Sequence, residues 1–88
     1  AIKDPDAVLD YKIDWASWLG TDTIATSEWI IEGTDAVLEV DNETEDATSA
    51  TVWLSGGTAN GTYIVTNRIT TAGGRTDDRS IKIEVQER

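Results

Sequence analysis

The chain has 88 residues and a formal net charge of −10 at pH 7, and it contains no cysteine and no histidine. This length fits a single domain with a modest core. The composition excludes disulfides, thiolate metal sites and histidine-based acid–base catalysis, and the charge argues against nucleic acid as a partner.

Apolar and polar residues alternate with a period of two along most of the chain, which is typical of strands with one buried face. Residues 1–7 contain the only proline and are predicted to form an N-terminal arm outside the compact body, which leaves residues 8–88 as the domain. The first alternating segment runs from Leu9 to Trp15. The stretch DWASWLG is then predicted to hold one tight turn that ends at Gly20.

In the middle of the chain, the parity of the apolar positions slips between Ile24 and Trp29. A bulge near residues 26–28, or two short strands, would explain this slip. Leu38 and Val40 then alternate with acidic residues, which predicts another strand.

Trp53 stands between two apolar neighbours, Val52 and Leu54, so its side chain is expected on the opposite face of its strand. Two further alternating segments follow, separated by the glycine-containing stretch TAGGRTDD. Asn60-Gly61 is a strong turn signal, because both residues tolerate positive φ. The spacing of strands and turns predicts an all-β fold, an immunoglobulin-like β-sandwich of six to seven antiparallel strands.

Catalytic arrangements are weak in this sequence. Ser80 and Lys82 share a strand face, but Lys82 is most simply a solvated residue of that strand. Asp10 and Asp14 also share a face, yet they lie roughly 13 Å apart along a strand, too far for direct cooperation. No enzyme activity and no cofactor are therefore predicted.

Acidic loops raise the question of calcium, which favours six to eight oxygen ligands. The stretch DNETED, Asp41 to Asp46, is predicted to be a loop with four acids, and Asp77 and Asp78 add two more. No EF-hand spacing is present, and an acidic run in a loop is usually solvated. No metal site is predicted, and calcium at residues 41–46 stays an open alternative. No run of about 18 apolar residues is present, so no membrane contact is predicted.

The segment GTYIVTNRITTAGGRTDDRSIKIEV resembles the last two strands of immunoglobulin-like domains of bacterial and phage surface proteins. Tyr63 stands where such folds often have a tyrosine corner, and Val65 stands where antibody domains carry their second cysteine. The resemblance implies the sandwich without its disulfide.

A second resemblance covers nearly the whole chain. The stretches IKDPDAVLDYKIDWASWLG, DTIATSEW, TVWLSGG and TYIVTNRITTAGGRTDDRSIKIEVQER are similar to small tailed-phage and prophage virion proteins of the phage fiber-tail adaptor type. This resemblance implies a non-enzymatic structural protein of the neck, tail or fibre attachment, with other virion proteins as partners. It also implies localisation in the virion after assembly in the cytoplasm of the bacterial host.

Four tryptophans are many for a chain of 88 residues. Trp15 and Trp29 are predicted to be core residues, and Trp53 is predicted to be an aromatic anchor of a protein interface. A carbohydrate-binding or adhesive module is the alternative function. It would be favoured if Trp18 and Trp53 lay together on a flat, exposed face.

The positive charge is concentrated near the C-terminus, since residues 1–60 carry two lysines against thirteen acids and residues 61–88 carry five basic residues against four acids. The predicted contact residues are therefore the arginines of the last hairpin, Trp53 and the start of the arm: Arg68, Arg75, Arg79, Trp53, Lys3, Asp4, Pro5 and Asp6. If the hairpin meets acidic residues 35–46 of a neighbouring copy, the contact is head-to-tail, and a homo-oligomeric ring is predicted.

Overall fold

The computed structural model of the protein describes residues 1–87, so the predicted end of the domain at residue 88 lies outside the described residues. Strands make up most of this part of the chain, with one short helix after the second strand. The elements are β1 (Ile2–Lys3), β2 (Leu9–Asp14), α1 (Ala16–Leu19), β3 (Ile24–Gly33), β4 (Leu38–Glu45), β5 (Ser49–Gly56), β6 (Thr62–Thr71) and β7 (Thr76–Val85).

The strands form two sheets, with the order β1-β7-β6-β3 in the first sheet and β2-β5-β4 in the second sheet. With β2-β5-β4 in one sheet and β3-β6-β7 in the other, the order is that of the B-E-D and C-F-G strands of an immunoglobulin domain. The predicted all-β sandwich is confirmed. One pair differs from the antiparallel pairing expected throughout, since β1 runs parallel to β7.

The core lies between the sheets and continues beneath α1. Its main cluster consists of Leu38, Val52, Leu54, Tyr63, Val65, Ile83 and Val85. A second cluster at α1 consists of Ile13, Trp15, Leu19 and Ile69. Trp29 and Ile81 pack against both clusters, so the apolar interior is continuous. Trp15 is fully buried, as predicted, whereas Trp29 is only partly buried.

Tyr63 forms the predicted tyrosine corner at the start of β6. Its ring is fully buried, and its hydroxyl accepts a hydrogen bond of 3.0 Å from the backbone N–H of Thr58. The same hydroxyl donates a hydrogen bond of 2.7 Å to Asp35 Oδ1. These bonds tie the turn before β6 to the turn before β4.

The predicted slip in β3 is present, but β3 is one strand. Its pairing with β6 shifts between Ile24 and Thr26, slightly earlier than residues 26–28. The tight turn of DWASWLG is α1, and Gly20 ends it with a φ of 64°. A second shift, between Val40 and Asn42 of β4, was not predicted.

The prediction of a loop at residues 41–46 is wrong. β4 continues through this region to Glu45, and residues 42–45 pair with residues 50–53 of β5. β4 is an edge strand of its sheet. Charged side chains are common on exposed edges because they oppose pairing with other chains, which explains an acidic sequence within a strand.

The start of the chain differs from the predicted arm outside the compact body. Ile2 and Lys3 form β1 and pair with Glu84 and Val85 of β7. Lys3 is fully buried. The edge of β7 provides backbone hydrogen-bond partners for this segment. A strand of two residues is too short to show a period-two pattern, so the sequence did not predict it.

The molecule is elongated, with extents of 41 × 19 × 18 Å. We call the end that carries α1 and the β6–β7 turn the helix end. The opposite end carries β1, the start of β2 and the turns before β4 and β6, and we call it the N-terminal end. Within residues 1–87, no helix is long and apolar enough to cross a bilayer.

Candidate interaction surfaces

Arg75 lies at the helix end, where it fastens the β6–β7 turn to α1. Its guanidinium contacts Asp22, with Nε 3.2 Å from Oδ2, and Nη2 donates a hydrogen bond of 3.0 Å to the carbonyl of Leu19. The guanidinium carbon also lies 4.2 Å from the centre of the Trp18 ring. Arg75 therefore combines an ion pair, a backbone hydrogen bond and a cation–π contact within one chain.

Arg79 makes a second connection at the same end. Its guanidinium carbon lies 4.4 Å from the centre of the Trp15 ring, and Nη1 donates a hydrogen bond of 2.9 Å to the carbonyl of Asp14. Below it, Trp15 Nε1 donates a hydrogen bond of 2.9 Å to Oδ1 of buried Asn67. Arg79 thus covers the buried tryptophan from the solvent side.

Arg68 lies on the outer face of the first sheet, one ladder position closer to the β6–β7 turn than Arg79. It pairs with Asp78 through two hydrogen bonds of 2.8 and 2.9 Å, and its Nη1 lies 3.9 Å from Glu28 Oε1. The hydrogen bond to Asp78 raises the pKa of Arg68 and lowers the pKa of Asp78. The positive charge of Arg68 is therefore largely compensated by its own sheet.

Asp22 supplies the negative charge opposite Arg75. A hydrogen bond from the Thr71 side chain is the largest cause that lowers the pKa of Asp22 to about 2, followed by the backbone N–H of Thr23. Gly73 N–H also donates a hydrogen bond of 3.0 Å to Asp22 Oδ1. Asp22 is therefore ionised at neutral pH and holds both the turn and its arginine.

Trp53 lies on the outer face of the second sheet, as predicted from its apolar neighbours. It is partly buried on the central strand β5, between Asp10 of β2 and Asn42 of β4. Trp18 belongs to α1 at the helix end, where the Arg75 guanidinium covers its ring. The two tryptophans therefore do not form the flat platform that a carbohydrate-binding reading requires.

The predicted contact residues at the start of the chain lie at the N-terminal end. Lys3 is buried, and its Nζ donates hydrogen bonds of 2.9 and 2.8 Å to the carbonyls of Asp4 and Gly56. Burial lowers the pKa of Lys3, against the opposing effect of nearby Asp4 and Asp6. Pro5 is partly buried in the turn, and Asp6 is exposed. In this conformation Lys3 organises the turn and is not accessible to a partner.

Residues 3–84 match the model of one protein family, which is described as podophage GP4 fiber-tail adaptor protein gp77. The chain belongs to this family. Its role is therefore that of a structural adaptor of the phage tail, and the protein is a component of the virion. No curated protein matches the chain.

Within residues 1–87, the side chains considered for catalysis or calcium binding are not arranged for either role. Ser80 shares a hydrogen bond of 2.8 Å with Thr66, and Lys82 pairs with Glu84 at 3.3 Å. Within residues 1–87, no three acidic side chains converge into a group that could hold a metal ion.

The adaptor also has structural residues that the sequence analysis missed. Asp22 and Asp35 anchor the two ends, and Asn67 lies at the centre of a buried network, where its amide donates to Ser27 Oγ and to the carbonyl of Glu28. An asparagine at a buried position of the β6 alternation was a signal for such a network, because a buried amide requires partners.

Proposed function

We propose that the chain is a non-enzymatic adaptor that joins fiber and tail in a tailed-phage or prophage virion through protein–protein contacts. The family match over residues 3–84 is the observation that carries the proposal. The geometry supports it, because the ten residues of β7 separate the two ends by about 30 Å at ~3.3 Å per residue. Two different partners can therefore be bound at once. Assembly takes place in the cytoplasm of the bacterial host.

Trp53 is the contact residue that the structure supports best. A large aromatic side chain, partly exposed at the centre of a sheet face, is a typical anchor of a protein interface. Asp4, Pro5 and Asp6 form a second contact region at the N-terminal end. Arg68, Arg75 and Arg79 contribute through the surface that their intramolecular pairs leave exposed.

The proposed function can be tested by deleting the coding sequence of this chain from a phage or prophage and analysing the particles that form. We expect particles that keep their head proteins and lose their fiber subunits, measured by mass spectrometry of purified particles. Supplying Trp53→Ala in trans should restore fiber poorly, whereas Thr51→Ala on the same outer face should restore it fully. A normal fiber content without the chain would contradict the proposed function.

We also propose that copies of the chain assemble head-to-tail into a ring, with the β6–β7 hairpin of one copy against residues 35–46 of the next. Glu39, Asp41, Glu43 and Glu45 support this arrangement, because they are exposed and make no ion pair within residues 1–87. Arg68 and Arg75 keep 44% and 45% of their side-chain surface exposed despite their ion pairs. Head-to-tail contacts close into rings when the rotation permits.

Light scattering across a salt series tests the ring. We expect an oligomer at low salt that dissociates as salt screens the charged contacts. Glu43→Lys should abolish it, and Glu32→Lys, the same change on β3 of the other sheet, should not. The arginines are unsuitable for this test because two of them hold α1. A monomer at every salt concentration would rule the ring out.

A further inference from the structure

The exposed large apolar side chains of the described chain all lie at the N-terminal end. Isolated exposed apolar residues are ordinary on protein surfaces, but their collection at one end of a small domain marks an interaction surface. We call this set the N-terminal apolar cluster; its members, 37% to 53% exposed, are Ile2, Val8, Leu9, Val37 and Ile64.

The backbone around Gly56 brings much of the cluster together. Gly56 ends β5 two residues after Leu54, the partner of Leu9 in β2. The N–H of Gly57 donates a hydrogen bond of 3.4 Å to the carbonyl of Val37. Lys3, which follows Ile2, donates to the carbonyl of Gly56. Three separate chain segments therefore meet around one point, with Leu9 and Val37 beside Gly56 and Ile2 on the outer face of the first sheet, opposite to the Lys3 side chain.

The first sheet extends this surface. Ile2 pairs with Glu84 of β7. Ile64 of β6 pairs with Lys82, which lies two residues before Glu84 on the same outer face of the sheet. A cleft of about 250 Å³ lies beside this pair of strands. Its walls are formed by Asn60, Gly61, Thr62, Glu84, Val85 and Gln86. The end of the molecule thus offers apolar side chains next to a concave surface.

Within residues 1–87, acidic residues outnumber basic residues around the cluster. Lys3 is buried, and Lys82 is paired with Glu84. Hydrogen bonds from Tyr63 and then Thr58 lower the pKa of Asp35, so that this carboxylate is ionised at neutral pH. The acids of this end that make no ion pair within residues 1–87 include Asp4, Asp6, Glu32, Asp35 and Glu39.

We propose that the N-terminal apolar cluster docks a basic, apolar segment of a different virion protein. The inference rests on the proposed adaptor function and specifies the chemistry of one partner. Aliphatic side chains of the segment would cover the cluster, and its lysines or arginines would face the surrounding acids. A second copy docked through the same cluster does not fit this surface, because it would bring the same excess of acids into contact.

The first test is a titration of the ¹⁵N-labelled protein with a short synthetic peptide of alternating lysine and valine, followed by NMR. A peptide of alternating glutamate and valine is the control. We expect shifts at the amides of Leu9, Val37 and Gly57 with the basic peptide and none with the acidic one. Shifts confined to residues 42–45 of β4, which would reflect charge attraction alone, or no shifts at all, would overturn the inference.

Exposed positions give the matched variants. Val37→Ser and Ile64→Thr each remove apolar surface without touching the core, and each should weaken binding of the basic peptide about fivefold. Glu39→Gln should weaken it as well, whereas Glu28→Gln, the same change at an exposed position of β3 farther from the N-terminal end, should leave it unchanged. Equal effects of the two glutamate changes would contradict docking at this end.

The virion assay separates this inference from the function on which it rests. If deletion of the chain removes fiber but a Val37→Ser, Ile64→Thr chain restores it fully, the docking surface is wrong and the adaptor function stands. If deletion leaves fiber content unchanged, the adaptor function itself fails, whatever the peptide binds.

Discussion

The hydroxyl groups of Tyr11 and Tyr63 differ in their hydrogen bonding. Tyr63 Oη makes two hydrogen bonds, whereas Tyr11 Oη is buried and has no partner within the described residues. Trp29 Nε1 is buried without a partner in the same way. Burial also raises the pKa of Tyr11. A buried polar atom without a hydrogen-bond partner lowers the free energy of unfolding. The Tyr11 hydroxyl therefore destabilises the fold.

Tyr11→Phe should therefore leave the free energy of unfolding unchanged or raise it by up to about 1 kcal/mol, because the lost hydroxyl made no hydrogen bond. Tyr63→Phe is the control and should lower it by about 1–3 kcal/mol, because Thr58 N–H and Asp35 lose their partner. Urea unfolding of the three proteins measures both effects. A loss at Tyr11 as large as at Tyr63 would show that Tyr11 has a partner in solution.

Asp22 makes the free energy of unfolding depend on pH in the acidic range. Its pKa is lowered to about 2 from 3.8, so its stabilising effect is complete above about pH 4 and is lost as pH falls through about 2. Asp22→Asn should reduce the fall in unfolding free energy over this range. Asp35, Asp46 and Asp78, whose pKa values are also lowered, should keep part of it. Denaturation at a series of pH values is the measurement, and an unaltered profile for the variant would contradict the assignment.

At the scale of elements, α1 depends on the sheet that covers it. It has four residues and no side-chain cap at its N-terminus, and a helix this short is not stable alone. Arg75 contacts the ring of Trp18 within the helix, and Arg79 contacts the ring of Trp15 directly before it. Both arginines also donate hydrogen bonds to backbone carbonyls at the helix. The positive charge of the last hairpin is therefore used first for internal structure, and only its remaining exposed surface is free for partners.

Two turn glycines provide a matched test of packing at opposite ends. Gly57 and Gly74 both have positive φ, at 95° and 87°. A Cβ at Gly57 would lie 2.7 Å from Val85 Cγ2, whereas a Cβ at Gly74 would meet nothing within 4 Å. Gly74→Ala should cost about 1–2 kcal/mol of strain, and Gly57→Ala should cost about 1–3 kcal/mol more from overpacking. Thermal unfolding gives the difference, and equal costs would show that the N-terminal end relaxes freely.

At the scale of the whole molecule, the two core clusters share Trp29 and Ile81. Because the interior is continuous, we expect a single cooperative unfolding transition. Tryptophan fluorescence, dominated by the helix end, and far-UV circular dichroism, which reports both sheets, should give coincident curves in urea. An earlier fluorescence transition would mean that the helix end unfolds independently.

The elongated shape also gives the adaptor two chemically different ends. The helix end is closed by arginine–aromatic and arginine–carboxylate contacts, whereas the N-terminal end combines exposed apolar side chains with acids that make no ion pair within residues 1–87. The proposed bridging of fiber and tail requires two distinct surfaces, and this asymmetry agrees with that proposal.

Local features of the chain were predictable from sequence. The tyrosine corner at Tyr63, the turn that ends at Gly20 and the register slip in β3 all leave short-range signals in residue type or parity. The predictions for residues 1–7 and 41–46 differed from the structure for a common reason. β1 and the end of β4 are strands because their backbones form hydrogen bonds with a neighbouring strand. Their own residue composition does not predict this pairing.

The sequence by itself therefore determined the all-β fold class, because period-two alternation and turn residues act locally. It also excluded chemistry that requires cysteine or histidine. Only the tertiary structure decided which charges are neutralised and which apolar residues stay exposed. Arg75 meets Asp22 across 53 positions of sequence, and β1 reaches β7 from the other end of the chain. Such contacts arise when the sheets pack together, and no local pattern specifies them.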